Sequence, residues 1–145
     1  CRPWPGDPRD DRANGRLRRG MIVGIGTDIV EVNRIRDSHK KFGEKFIDRI
    51  LLPSEREYCL SHTDPAPNIA ARFAAKEAIA KAFGTGIGKA LCWHDMEITR
   101  EDSGKPLAQL HGQAQALLEK TGTSHLHITM SHTSQHATAT AVLER

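Results

Sequence analysis

Apolar residues recur at helical spacing in the middle of the chain, between residues 69 and 83. On a helical wheel they form an alanine face and a second, bulkier face, which predicts a helix buried on both sides. The alanine face comprises Ala71, Ala74, Ala75, Ala78 and Ala82, and the bulkier face comprises Ile69, Phe73, Ala80 and Phe83. Asn68 is the predicted N-cap, and three glycines that begin at Gly84 predict the end of the helix.

Two charged residues of this helix, Glu77 and Lys81, lie one turn apart in the seam between the two apolar faces. In this order such a pair stabilises an exposed helix by ~0.2–0.5 kcal/mol, so a local ion pair is one interpretation. Burial of a carboxylate is costly unless it is paired or binds a cation. A ligand site is therefore the other interpretation.

The first strand is predicted at residues 21–30, where β-branched residues alternate with glycines. Gly24, Gly26 and Asp28 share one face of this strand, which predicts that something packs or binds closely there. Ile29 stands where a dinucleotide-binding motif needs its third glycine, so that motif is rejected. Asp28 is either the N-cap of the next helix or, together with Glu77, part of a cation site.

Helical periodicity extends from residue 31 to residue 52. The predicted core side carries Ile35, Phe42, Phe46 and Ile50. A second face is basic and carries Arg34, Lys41, Lys45 and Arg49. This basic face is compatible with an ordinary solvated helix surface or with a surface that binds an acidic partner.

Shorter elements complete the predicted fold. After Pro53, a capping box of Ser54 and Glu57 predicts a helix that ends near Leu60. Sequence patterns predict strands at 93–100 and 107–110, a helix at 111–120, and a strand pair at 124–133 and 136–143. The order of one strand, three helices, two strands, one helix and two strands predicts an α+β domain with a mainly antiparallel sheet.

Charge is distributed unevenly along the chain. Residues 1–20 hold six Arg and three Asp, and the remainder has 15 basic and 15 acidic residues. The first segment lacks apolar periodicity, so we expect a disordered extension or an artefact of upstream translation, followed by one domain at residues 21–145. Because the body is neutral and the basic segment has no interleaved aromatic residues, we expect no nucleic-acid partner.

No apolar run approaches the length of a membrane span, and no signal peptide is recognisable, so we expect a cytoplasmic protein without a membrane partner. Cys1, Cys59 and Cys92 are widely spaced and odd in number, which favours reduced thiols. His125 and His127 share a strand face but lack an evident third zinc ligand. His132 falls on the apolar face of its strand, as a core or interface histidine would.

Two blocks of sequence carry a family resemblance: MIVGIGTDIVEVNRI at residues 21–35 and RFAAKEAIAKAFGTGIG at residues 72–88. With Gly104-Lys105-Pro106 and the Ser131-His132 strand end, they resemble the holo-[acyl-carrier-protein] synthases, the short-chain 4′-phosphopantetheinyl transferases. The resemblance covers the chain from Met21 onward. It implies that family's fold and the transfer of 4′-phosphopantetheine from coenzyme A to a serine of apo-acyl carrier protein, in support of fatty acid biosynthesis, with release of adenosine 3′,5′-bisphosphate.

The resemblance also implies roles for individual residues. Asp28 and Glu77 match the family's Mg²⁺ ligands, and Lys81 matches the lysine that contacts phosphate, so these three are the implied catalytic residues. Coenzyme A contacts are implied for Lys81, Gly84, Lys105, Pro106, His132 and Thr133. Arg34 matches a basic residue of the helix that receives the carrier protein, and Lys41, Lys45 and Arg49 extend that surface. Ala80 departs from the family pattern, because many members have serine there.

The resemblance further implies a homotrimer with active sites between subunits. The proton acceptor for the carrier serine is left open between Glu77 and a metal-bound water. Two other functions are considered. A catalytically silent module would bind an acidic protein through the basic face, without Mg²⁺ or coenzyme A. A metal-dependent nucleotide hydrolase would cleave coenzyme A without a carrier.

Overall fold

The computed structural model describes residues 20–145. The segment predicted to be disordered or artefactual, residues 1–20, lies outside the described residues apart from Gly20. The described chain combines helices with antiparallel strands, so the predicted α+β class is confirmed. Among the described residues, no helix combines the length and apolar character needed to cross a membrane.

The elements follow one another in two groups. The first group contains β1 (Ile22–Glu31), α1 (Val32–Phe42), α2 (Glu44–Ile50), α3 (Pro53–Leu60) and α4 (Ala66–Phe83). The second contains a 3₁₀ turn (Trp93–Asp95), β2 (Met96–Arg100), β3 (Pro106–Leu110), α5 (Gly112–Lys120), β4 (His125–His132) and β5 (His136–Glu144).

The strands form two antiparallel sheets. One has three strands in the order β1–β5–β4, and the other pairs β2 with β3. In the larger sheet Asp28 lies opposite Ala139 of β5, and His132 of β4 lies opposite Ala137. Because β5 separates β1 from β4, Asp28 and His132 belong to strands that do not pair with each other.

Helix α4 packs directly on the glycine-bearing face of β1. A Cβ atom at Gly26 would lie 1.9 Å from the carbonyl oxygen of Ala78, and one at Gly24 would lie 2.1 Å from that of Ala82. Larger residues would hold the two backbones apart. The close packing predicted for this strand face is confirmed, and so is the burial of the alanine face of α4.

The single helix predicted at residues 31–52 is wrong, because the chain breaks at Gly43. This glycine has a φ of 58°, ends α1 and separates it from α2. The break resets the helical wheel, so Phe42 is 55% exposed instead of facing the core. Ile35 and Ile50, predicted for the same core side, are buried.

The predicted N-caps are wrong as well. Glu55, and not Glu57, closes the first turn of α3, since its Oε1 accepts a hydrogen bond from the Leu52 amide at 2.8 Å. Ser54 instead donates to Glu97 Oε1 at 2.6 Å. Helix α4 begins at Ala66, so Asn68 lies within its first turn. The end of α4 at a left-handed Gly84 is confirmed.

Candidate active site

Asp28 of β1 and Lys81 of α4 form an ion pair where the helix crosses the strand. Lys81 Nζ lies 2.9 Å from Asp28 Oδ1 and also donates to the carbonyl oxygen of Thr27 at 3.0 Å. The Asp28 side chain is 15% exposed, whereas that of Lys81 is 51% exposed. The ammonium is therefore open to a ligand while the carboxylate is held in place.

Glu77 is the second carboxylate at this crossing, and it is half-buried. Its burial raises the pKa of the carboxyl above the ordinary value, the negative charge of Asp28 raises it further, and the positive charge of Lys81 opposes both. The influence of Asp28 indicates that the two carboxylates are close enough to repel each other. We call Asp28, Glu77 and Lys81 the central group.

Lys81 is bound to the strand and not to its own helix. Within residues 20–145 it has hydrogen bonds to Thr27 and Asp28, and none to Glu77. The bond to Asp28 is the main reason that the pKa of Lys81 lies above its ordinary value. Among the described residues, the pairing across two elements leaves the Glu77 carboxylate without an ammonium bonded to it.

The donor set of the central group fits a magnesium ion. Asp28 and Glu77 supply two carboxylates, and the described part of the chain has no cluster of three or more His, Cys, Asp or Glu side chains. Mg²⁺ is commonly held by one or two carboxylates and completes its shell with water and phosphate oxygens. A structural zinc site would need four protein ligands. His127, weighed above as a zinc ligand, is paired with Glu144 at 2.8 Å.

The other residues expected to contact coenzyme A lie in three places. Gly84 ends α4, where its amide donates to the carbonyl oxygen of Lys81 at 3.0 Å. Lys105 and Pro106 lie where the turn from β2 enters β3. His132 and Thr133 lie at the end of β4, and both are exposed. In the described chain, the side chains of these last four have no hydrogen bond to the central group.

The four basic residues of α1 and α2 that were predicted to bind the carrier are exposed, and we call them the docking face after that prediction: Arg34, Lys41, Lys45 and Arg49. A cavity of about 350 Å³ opens within this surface. Its lining consists of Ser38, Phe42, Lys45, Phe46 and Arg49. The sequence analysis placed Phe42 in the core and therefore missed an exposed aromatic residue beside the docking face.

Arg72 marks a second basic region that the sequence reasoning missed. Its side chain is buried, its Cζ lies 4.4 Å from the centroid of the Tyr58 ring, and its Nε and Nη1 have no hydrogen-bond partner within residues 20–145. Arg100 approaches the same ring at 5.8 Å. We call this the arginine cleft; its lining is Ser54, Tyr58, Arg72, Ile98, Thr99 and Arg100. A charged residue within an apolar helix was the available signal.

Comparison with known proteins agrees with this architecture. The sequence profile of the 4′-phosphopantetheinyl transferase superfamily matches residues 24–141. The chain belongs to this superfamily. A curated holo-[acyl-carrier-protein] synthase of Koribacter versatilis is 46% identical over 86% of this chain and 99% of its own length. That of Chlamydia trachomatis serovar L2 is 45% identical, over 85% and 100% respectively.

Solved structures give the same assignment. The holo-[acyl-carrier-protein] synthase of Neisseria meningitidis has a TM-score of 0.80 and 41% identity, covering 86% of this chain and all of its own. The Helicobacter pylori synthase in complex with coenzyme A has a TM-score of 0.74 and 36% identity, covering 82% and 98%. The resemblance to holo-[acyl-carrier-protein] synthases and the fold that it implied are confirmed.

Proposed function

We propose that the chain carries out the reaction of its family with the central group placed around the diphosphate of coenzyme A. In that reaction 4′-phosphopantetheine passes from coenzyme A to a serine of apo-acyl carrier protein, and adenosine 3′,5′-bisphosphate leaves. The observation that carries the proposal is the Asp28–Lys81 contact, 2.9 Å long, with Glu77 beside it. An ammonium next to two carboxylates offers binding to both a cation and phosphate oxygens.

The residues of the chain have a limited chemical task. The attacking hydroxyl belongs to the carrier, so the chain needs no nucleophile of its own. In phosphoryl transfer a protein mainly positions the reactants and neutralises charge. Lys81, half-exposed and with its ammonium hydrogen-bonded to β1, would hold phosphate oxygens, and Asp28 and Glu77 would hold Mg²⁺. When bound, the ion would neutralise diphosphate charge.

A second copy of the chain would complete the site. The outer face of the three-stranded sheet exposes β-branched residues of β1, with Ile25 61% and Ile29 68% exposed. An apolar sheet face of this kind is typical of a subunit interface. The expected homotrimer would bring the β2–β3 turn and the end of β4 of one copy to the central group of another. Such an arrangement would account for the separation of His132 from Asp28 within one chain.

Mixing inactive variants tests the shared site. We expect Asp28→Asn and His132→Ala copies to be inactive alone and to regain part of the activity when refolded together, since some interfaces then carry neither change. Two copies of Asp28→Asn refolded together are the control. Failure of the mixture to regain activity, with mixed trimers verified by native mass spectrometry, would refute the shared site.

The arginine cleft is the candidate for the 3′-phosphate of coenzyme A. Arg100 Nη1 donates to the carbonyl oxygen of Gly104 at 2.9 Å, which places the cleft beside the turn that carries Lys105. Arg72→Met should raise KM for coenzyme A and leave KM for dephospho-coenzyme A, which lacks the 3′-phosphate, nearly unchanged. An equal effect on both substrates would contradict this role.

The docking face would receive the carrier protein. Acyl carrier proteins of this type are acidic, and complementary charge steers and orients such a partner. The exposed Phe42 and the adjoining cavity add an apolar contact within the basic surface. Since coenzyme A and the carrier are cytoplasmic molecules in this interpretation, we infer the same location for the chain.

Omission of one reactant at a time separates this proposal from its alternatives. With carrier, coenzyme A and Mg²⁺ present, the carrier should gain the mass of phosphopantetheine; with Mg²⁺ removed by EDTA, it should not. Cleavage of coenzyme A without carrier would indicate a hydrolase. Salt-sensitive carrier binding without any mass gain would indicate a silent binding module.

A further inference from the structure

A buried ion pair joins Lys76 of α4 to Glu55 of α3, away from the central group. Lys76 Nζ lies 2.7 Å from Glu55 Oε1, and neither side chain is exposed. The ammonium also donates to the carbonyl oxygens of Ile50 at 2.6 Å and Trp93 at 3.3 Å. All three of its N–H groups are therefore used.

Both carboxylate oxygens of Glu55 also accept hydrogen bonds from backbone amides. Its Oε1 accepts from the Leu52 amide, and its Oε2 accepts from the Ile98 amide at 3.0 Å. Burial lowers the pKa of Lys76, while the negative charge of Glu55 opposes that shift. The pair thus links the end of α2, the start of α3, the centre of α4, the 3₁₀ turn and β2 through side-chain hydrogen bonds.

Three of these links lie within or next to a candidate functional region. Ile50 follows Arg49 of the docking face, and Lys76 precedes Glu77 of the central group. Ile98 itself lines the arginine cleft. The Lys76 side chain and its hydrogen bond to the Ile50 carbonyl oxygen therefore connect the backbone beside Arg49 to the backbone beside Glu77.

We propose that Lys76 and Glu55 are positioning residues that fix the docking face and the arginine cleft relative to the central group. The inference rests on the proposed function. Transfer requires the serine of a docked carrier to meet the diphosphate held by another surface, and small misplacements of reacting groups are costly in rate. Without the ion pair, each surface keeps its own binding residues. The positions of the surfaces relative to one another are then no longer fixed.

The test is the double variant Lys76→Met/Glu55→Gln. Removing one partner of a buried ion pair leaves an uncompensated charge, whereas removing both charges together avoids it. Gln at position 55 also keeps an acceptor for one of the two backbone amides. The control is Arg56→Met, which removes a surface ion pair between α3 and Asp48 of α2.

The measurements are kcat and KM for carrier and coenzyme A, the active fraction by titration, and the affinity for Mn²⁺ by electron paramagnetic resonance. We expect the double variant to lose at least tenfold in kcat per active molecule. Both KM values should stay within threefold and the Mn²⁺ affinity within twofold of wild type. The control should keep its kcat.

A kcat within twofold of wild type, or a loss confined to KM or to the active fraction, would overturn the inference. Should the double variant not fold, Glu55→Asp decides, since it keeps the charge but is one methylene too short to hold both Lys76 and Ile98. Its kcat should fall at least threefold; an unchanged kcat overturns the inference. A wild-type protein that modifies no carrier would instead overturn the proposed function.

Discussion

Lys81 binds Asp28 on the neighbouring strand, at 2.9 Å, and not Glu77 one turn earlier on its own helix. The contact depends on the glycines of β1, because side chains there would push α4 away from the strand. A carboxylate from each of two elements and one ammonium consequently meet at a single crossing.

Removal of either carboxylate charge should abolish efficient transfer. We expect Asp28→Asn and Glu77→Gln each to lower kcat/KM by far more than tenfold, a factor equivalent to about 1.4 kcal/mol in barrier. The physical reason is that each variant halves the carboxylate charge available to a cation. Steady-state kinetics check this, and Glu57→Gln, on the exposed face of α3, is the matched control. Near-normal turnover in either variant refutes its assigned role.

Gly26→Ala should destabilise the fold. Its Cβ would lie 1.9 Å from the Ala78 carbonyl oxygen, a backbone atom that cannot move without shifting α4. Overpacking of this kind typically costs about 1–3 kcal/mol. Urea denaturation measures the loss. Gly88→Ala is the control, because nothing lies within 4 Å of its Cβ position. Equal stability of the two variants would contradict the account of the packing.

Charge reversal on the docking face should weaken carrier use selectively. Lys45→Glu and Arg49→Glu should each raise KM for an acidic carrier severalfold, while KM for coenzyme A stays the same. The effect should shrink as salt rises, because exposed charges are screened. Lys120→Glu, at the exposed end of α5, serves as the control. A carrier KM that no reversal changes would leave the docking face without its proposed role.

Glu97 should make stability depend on pH. Hydrogen bonds from Ser54 and then His111 hold the pKa of its carboxyl below the ordinary value. A lowered pKa in the folded state stabilises the protein above the unfolded pKa, and that contribution disappears as pH falls through the folded pKa. Glu97→Gln should therefore lower Tm at neutral pH and converge with wild type in acid. A constant Tm difference at all pH values would contradict this.

The sequence was sufficient for the central helix and the central group. Two apolar faces and a glycine end predicted α4, and the charged residues in its seam pointed to Glu77 and Lys81. The partner of Lys81 was not predictable from helix spacing, since Asp28 lies 53 residues away and competes with the nearby Glu77. The residue pattern left Asp28 open between an N-cap and a cation site shared with Glu77, and the family resemblance favoured the cation site.

Other features depend on contacts that local patterns do not contain. Apolar residues keep a nearly helical spacing across Gly43, so the sequence pattern did not reveal that one helix ends there and another begins. For the same reason it did not reveal that Phe42 is exposed. Glu55 and Glu57 are both compatible with capping, and only the buried Lys76 and the Ile98 amide select Glu55. The charges of Arg72 and Lys76 were visible, but their burial follows from α3 and β2 folding over them.

The most direct measurement of the central claim is the intact mass of apo-carrier protein together with released adenosine 3′,5′-bisphosphate. Wild-type protein, coenzyme A and Mg²⁺ should give one released bisphosphate for each carrier that gains a phosphopantetheine. Lys81→Met should lower both products in parallel. The account would be contradicted if wild-type protein released bisphosphate without modifying the carrier, or if it formed neither product.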